Sequence, residues 1–297
     1  MAEITAQMVK DLREKSGAGM MDCKKALTEA GGDFDKAMAL LRERGEAIAV
    51  KRGGRAAKEG IIAAAISADA KQGAIIELNC ESDFVARNND FKALADKIAQ
   101  HGVSVPEGTD LGETQLDGEA VNDVVKGAIG KIGENIVLSR SAKLDSTDGI
   151  IVSYIHPPGK IGVLVEFGGA TNLADNADFQ QIARGIAMHV AAANPTCVNR
   201  DQVDPAALEA EKAIFRNQAL NEGKPEAIVE KIIGGRISKY YAEVCLLEQP
   251  YVQEPDKKVQ DIVKEAGKKH GADAIELRRF VRFQLGGGAD AEEGEAE

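Results

Sequence analysis

Two stretches of this chain are written on one plan. GIIAAAISADAKQGAIIELNCESDFVARNNDFKALADKIAQH, from Gly60, and GIIVSYIHPPGKIGVLVEFGGATNLADNADFQQIARGIAMH, from Gly149, align at an offset of about 89 residues, with one residue dropped before the closing segment. Each copy has two apolar strand-like runs around a turn (ADAKQG and PPGK), then a polar connection, then an amphipathic segment beginning Asp-Phe. Phe91, Leu94 and Ile98 recur at i, i+3 and i+7, as do Phe179, Ile182 and Ile186, so each closing helix carries one apolar face and is expected to cover a small antiparallel sheet. ENIVLSR near Ile136 and IELRRFVRFQL near Phe280 are candidate third strands. The fold class expected is α+β, with two related halves.

Around this duplication the sequence places other parts. In the first forty-five residues or so, Thr5, Asp22 and Asp33 are candidate N-caps of three short helices, with Gly31 and Gly32 stopping the second and Gly45 the third. In SGAGMM, Met20 and Met21 occupy a glycine-rich turn; methionine adapts equally to a core gap or a partner's groove, and core filling is the default. KRGGRAAKEG reads as a basic linker. After the second copy, Val229, Ile233, Ile237, Tyr240 and Val244 follow a helical spacing, and NEGKP breaks the preceding helix, which predicts a helix hairpin. Such a hairpin must lay its apolar seam on itself or on another chain, which leaves a homodimer through it open. GGGADAEEGEAE reads as an acidic tail too poor in apolar surface to order itself. The expected domains are 1–54, a three-helix module; 55–145, a first core half; 146–285, a second half with an insertion at about 203–248; and 286–297, the tail.

Composition removes several function classes. A net charge of −11 and only 4% aromatic residues argue against a phosphate-neutralising or base-stacking protein, so direct nucleic-acid binding is not expected. No apolar run reaches the eighteen or so residues that a membrane helix needs, and MAEITAQMVKDLREK lacks a signal-peptide core, so a cytoplasmic protein is expected. Four cysteines without a C-x-x-C pair suggest reduced packing thiols, and four dispersed histidines argue against a metal site.

Nothing in the motifs points to covalent chemistry. No phosphate-cradling G-x-x-x-x-G-K-[ST] loop, G-x-S-x-G elbow or H-E-x-x-H helix occurs. No catalytic residue and no cofactor are assigned. His156, after IIVSYI and before PPGK, is expected at a hairpin tip, either solvated or touching a partner.

The segment CESDFVARNNDF sets an apolar pair, Phe84 and Val85, inside a polar run. At the corresponding place the second copy replaces Ser82, Asp83, Phe84 and Val85 by Thr171, Asn172, Leu173 and Ala174. A phenylalanine plugging its own half would call for an equally bulky twin, and the twin is a leucine, which favours display. An exposed Phe gains roughly 1.5–3 kcal/mol on burial, so a partner pocket is the natural compensation.

SGAGMMDCKKAL, NCESDFVA, KIGENI, HPPGKIGVLVEF, IAMHVAAANP, GRISKYYAEVCLLEQPYV and RFVRFQLG together resemble the bacterial elongation factor Ts family, guanine-nucleotide exchange factors of elongation factor Tu. The resemblance spans nearly the whole chain. It implies a ubiquitin-associated-like N-terminal domain, two related core subdomains and an inserted helix hairpin. It also implies that Ser82, Asp83, Phe84 and Val85 press on the nucleotide-binding domain of elongation factor Tu and help dislodge its Mg²⁺, with Ser82 standing where threonine is usual. Carried over in the same way, Met20, Met21, Ile132, Gly133 and His156 would touch that partner, in its GDP-bound and nucleotide-free forms. Some members end in a further helix, and its contacts are not carried over to a chain that ends in an acidic tail. The competing expectation is a ribosome-associated or polypeptide-binding adaptor without exchange activity.

Overall fold

The computed structural model describes residues 4–272 and 275–287, the side chain of Ala227 excepted. It is an α+β structure in two compact units, one built from residues up to Ala63, from Ile75 to Ala142 and from Phe283 onward, the other from Ala64–Ala74 and Lys143–Arg282.

The first unit begins with three helices, α1 (Ala6–Ser16), α2 (Met20–Glu29) and α3 (Phe34–Arg52). Thr5 Oγ1 accepts from Met8 N–H at 3.2 Å and Asp33 accepts from Lys36 N–H at 3.0 Å, so two of the expected caps operate as such. Leu12, Cys23, Ala26, Leu27 and Ala37 form the centre of this small core. Two boundaries differ from expectation. Helix α2 starts at Met20 behind Gly19, so the two methionines form its first turn instead of the loop before it. Helix α3 continues through Gly45 to Arg52, because its backbone crosses α6 (Val121–Ile132) there: a Cβ on Gly130 would lie 2.4 Å from Gly45 Cα. The close approach of two backbones outweighs glycine's cost inside a helix, about 1 kcal/mol. The basic linker is correspondingly shorter, since strand β1 (Glu59–Ile66) begins at Glu59.

Strand β2 (Gln72–Cys80) follows, then the four-residue helix α4 (Asp83–Ala86), helix α5 (Asn89–Ser104), the short pair β3 (Gln115–Leu116) and β4 (Glu119–Ala120), α6, and β5 (Ile136–Asp145). The sheet has order β1-β2-β5, so ENIVLSR does supply the third strand. Helix α5 buries Phe91 and Ile98, and Leu94 is half-buried.

The second unit repeats the plan. Strands β6 (Gly149–His156) and β7 (Ile161–Gly168) pair antiparallel with Gly149 opposite Gly168 and His156 opposite Ile161. Helix α7 (Ala177–Ala193) lays Phe179 and Ile186 into a core with Ile150, Val163, Val165 and Phe167, and Phe167 meets Phe179 edge-on at 5.7 Å. Helices α8 (Pro205–Asn221) and α9 (Glu226–Val244) form the expected hairpin, and its seam closes on itself through Ala219, Val229, Ile233 and Ile237. Strands β8 (Pro250–Tyr251) and β9 (Glu254–Lys258), helix α10 (Val259–Lys269) and strand β10 (Glu276–Gln284) complete the unit's sequence, and the sheet order is β10-β7-β6.

Helix α10 was not anticipated, although Val259, Ile262, Val263 and Ala266 keep a helical spacing and join the second core. Of the acidic tail, Gly286 and Gly287 lie in a turn in which Gly286 N–H bonds Glu77; residues 288–297 fall outside the described residues. Among the described residues no helix is long and apolar enough to cross a membrane, and no cluster of His, Cys, Asp or Glu could hold a metal ion. The four cysteines are free and buried.

Candidate functional site

Helix α4 is one turn long, and its residues divide by direction. Ala86 is buried, Asp83 and Val85 are half-buried, and the Phe84 ring stands 82% exposed. Its counterpart Leu173, in the 3₁₀ turn Thr171–Leu173, is only 7% exposed and belongs to the second core. The two copies therefore use the same chain position in opposite ways. Among the described large apolar residues only Val50 is comparably exposed.

Isolated single turns are unstable, since helix nucleation fixes several residues for one hydrogen bond. External bonds must therefore hold α4. Ser82 takes extended backbone angles as its N-cap, and its Oγ accepts from Val85 N–H at 3.4 Å. The same hydroxyl donates to Glu134 Oε1 at 2.6 Å, while Ser82 N–H donates to Glu134 Oε2 at 3.0 Å. The Ser82 carbonyl accepts from Cys80 Sγ at 3.2 Å and from Ala86 N–H at 3.2 Å. Burial, and then the Glu134 charge, push the Cys80 thiol up to about 12, so it stays a protonated donor. Asp83 pairs with Arg87 across the turn at 2.9 Å.

A second carboxylate works in the reverse direction. Glu81 Oε1 accepts from Asn135 N–H at 2.7 Å and from Arg52 at 3.1 Å, and its Oε2 from Arg55 at 3.2 Å. The Asn135 N–H first, then the two guanidiniums, hold the Glu81 carboxyl below its ordinary range. Asn135 Nδ2 returns a bond to Arg55 O at 2.8 Å. The segments around Ser82 and Glu134 thus exchange carboxylate-to-amide bonds, and the end of α3 is tied to both.

The other residues singled out by sequence fall in several places. Ile132, half-buried, and Gly133, the left-handed C-cap of α6 with φ 84°, directly precede Glu134 and so are brought to the Ser82 segment. Met20 and Met21 are 59% and 62% exposed on α2. His156 ends β6, exposed, with Nδ1 3.0 Å from Tyr154 Oη, and belongs to the second unit. Sequence reasoning passed over Glu81, Glu134, Asn135, Arg52 and Arg55, all lying in or beside stretches it quoted.

Fold and surface together define a duplicated α+β protein that displays its distinguishing residues instead of enclosing them. Among families of known proteins, that described as Elongation factor TS matches residues 81–287. Elongation factor Ts of Prosthecochloris aestuarii (strain DSM 271 / SK 413) is 50% identical over 293 residues, which cover 96% of this chain and 100% of that protein. Elongation factor Ts of Clostridium botulinum (strain Alaska E43 / Type E3) is 49% identical over 290 residues, 97% of this chain and 94% of the other. The chain belongs to the elongation factor Ts family and is a translation elongation factor.

Proposed function

We propose that the chain is a guanine-nucleotide exchange factor: it binds elongation factor Tu carrying GDP, displaces Mg²⁺ and promotes GDP release so that GTP can load. The observation that carries this reading is the Phe84 ring, almost wholly exposed yet mounted on a turn bonded from several sides. A large apolar group held out in water is a docking element in waiting.

Magnitudes decide how the work is divided. Nucleotide held with a nanomolar dissociation constant is bound by about 12 kcal/mol, and a ten-thousandfold loosening requires about 5.5 kcal/mol of preference for the loosened partner. Burial of one phenylalanine supplies roughly 1.5–3 kcal/mol, so the rest is distributed. Phe84 wedges between elements of the partner near its metal, and Ser82, Asp83 and Val85 set and flank the wedge. Met20, Met21, Ile132, Gly133 and His156 hold surrounding surface, with residues 1–54 acting as a partner-binding module. Linkage makes the effect reciprocal: returning nucleotide weakens the factor as much as the factor weakened nucleotide. No bond is made or broken, so the chain works without cofactor and without covalent chemistry, in the cytoplasm with its partner.

Elongation factor Tu loaded with fluorescent GDP provides the test. The wild-type chain should accelerate release, and Phe84→Ala should slow that release while leaving circular dichroism unchanged. Equal rates for the two chains would remove Phe84 from its role. No acceleration by either chain would overturn the exchange reading and leave an adaptor.

A further inference from the structure

We infer that Glu134 is a positioning residue for the exchange step: it fixes the direction in which Phe84 is presented by gripping both polar hydrogens of Ser82. The inference rests on the wedge reading given above and adds a residue that makes its contribution through another.

The geometry is that of a two-pronged acceptor. One carboxylate oxygen takes the Ser82 hydroxyl at 2.6 Å and the other takes the Ser82 amide at 3.0 Å, across 52 positions of sequence. A carboxylate offers an acceptor on each oxygen, and hydrogen bonds to a carboxylate are the stronger kind. The Ser82 hydroxyl then has its lone pairs turned to Val85 N–H, which it caps at 3.4 Å. Without Glu134 that hydroxyl is free to rotate and the amide loses its partner, so a helix of four residues loses two of the bonds that set its orientation.

The remaining anchors of the turn act at other atoms, among them the Asp83–Arg87 pair and the buried Ala86. Cys80 Sγ and Ala86 N–H both meet the Ser82 carbonyl, and Glu81 holds the neighbouring segment through Asn135 N–H. None of these three reaches the Ser82 amide or hydroxyl. Direct docking of Glu134 on a partner would compete with this grip, since each of its oxygens already accepts a bond from Ser82.

The test is a double-mutant cycle read by GDP release at saturating factor. Wild type, Glu134→Gln, Glu134→Ala, Phe84→Ala and the double variant Glu134→Ala/Phe84→Ala are compared, with circular dichroism as the folding control. Because a misaligned contact costs rate steeply, Glu134→Ala is expected to slow the saturating rate about tenfold. The factor concentration giving half-saturation should change less than the rate does. Glu134→Gln keeps one acceptor oxygen and loses the other, so its rate falls between; it also carries the test should Glu134→Ala fail to fold. The double variant should be no slower than Phe84→Ala alone, since a misdirected ring and an absent ring are equivalent. Amide exchange at Ser82 and Val85 should quicken in the Glu134 variants.

If the two substitutions multiply in the double variant, Glu134 acts apart from Phe84 and the inference is overturned. If Phe84→Ala slows release while both Glu134 variants match wild type, the positioning role falls and the wedge survives. If Phe84→Ala itself matches wild type, both fall together.

Discussion

Phe84 and Leu173 stand at corresponding places of a duplicated plan, and their surroundings assign them opposite duties. Leu173 is buried in the second core, where truncation leaves a cavity, and Leu173→Ala should cost about 2–5 kcal/mol of stability. Phe84 removes almost no surface from water in the free chain, so Phe84→Ala should lie within about 0.5 kcal/mol of wild type. Urea denaturation of the two variants measures the difference directly, and a large loss from Phe84→Ala would mean that the ring supports its own fold. The display of Phe84 was legible because the sequence contains its own control, a second copy with a smaller residue at that place. Glu134 was not legible. Its partner lies 52 positions away, and hydrogen bonds between distant segments leave no periodic trace in a sequence.

At the scale of elements, the apolar spacings located α5, α7 and the seam of the α8–α9 hairpin, because burial imposes a period that can be read locally. Gly45 was misread for a related reason. Local propensity makes glycine a helix end, while here it is a crossing point, and only the position of α6 reveals that. The crossing yields a sharp prediction. A methyl group on Gly130 would meet Gly45 Cα at 2.4 Å, and neither backbone can yield as a flexible side chain would. Gly130→Ala should therefore destabilise the first unit by about 1–3 kcal/mol despite alanine's better helix propensity. Gly127→Ala, on the same helix with nothing within 4 Å of its added methyl, should be neutral or stabilising. Thermal unfolding followed by circular dichroism compares them, and equal midpoints would dismiss the crossing as a constraint.

Across the whole molecule, the duplication reaches below the surface pattern to a buried charge. The middle strand of each sheet carries an inward glutamate, Glu77 in β2 and Glu166 in β7, and the third strand supplies an arginine to each: Arg140 to Glu77 at 2.7 Å and Arg279 to Glu166 at 2.6 Å. The two halves are not equally insured. Glu166 also has Arg278 at 3.8 Å, whereas Glu77 has only neutral donors besides Arg140 among its described partners, Asn79 Nδ2 at 3.2 Å and Gly286 N–H at 2.8 Å. Arg140→Met keeps most of the bulk that covers Phe283 and strands a carboxylate that is 1% exposed, so it should cost about 3–5 kcal/mol. Arg279→Met should cost less, because Arg278, although it also pairs with Asp148 and Glu276, keeps a guanidinium 3.8 Å from the same glutamate. Replacing the whole first pair, Glu77→Leu with Arg140→Met, should recover part of the loss, since no charge is then left buried. Urea titrations of the three variants decide the matter. If Arg279→Met proved as damaging as Arg140→Met, the neighbouring arginine would be no reserve, and the repeated ion pairs would owe their energy to packing rather than charge.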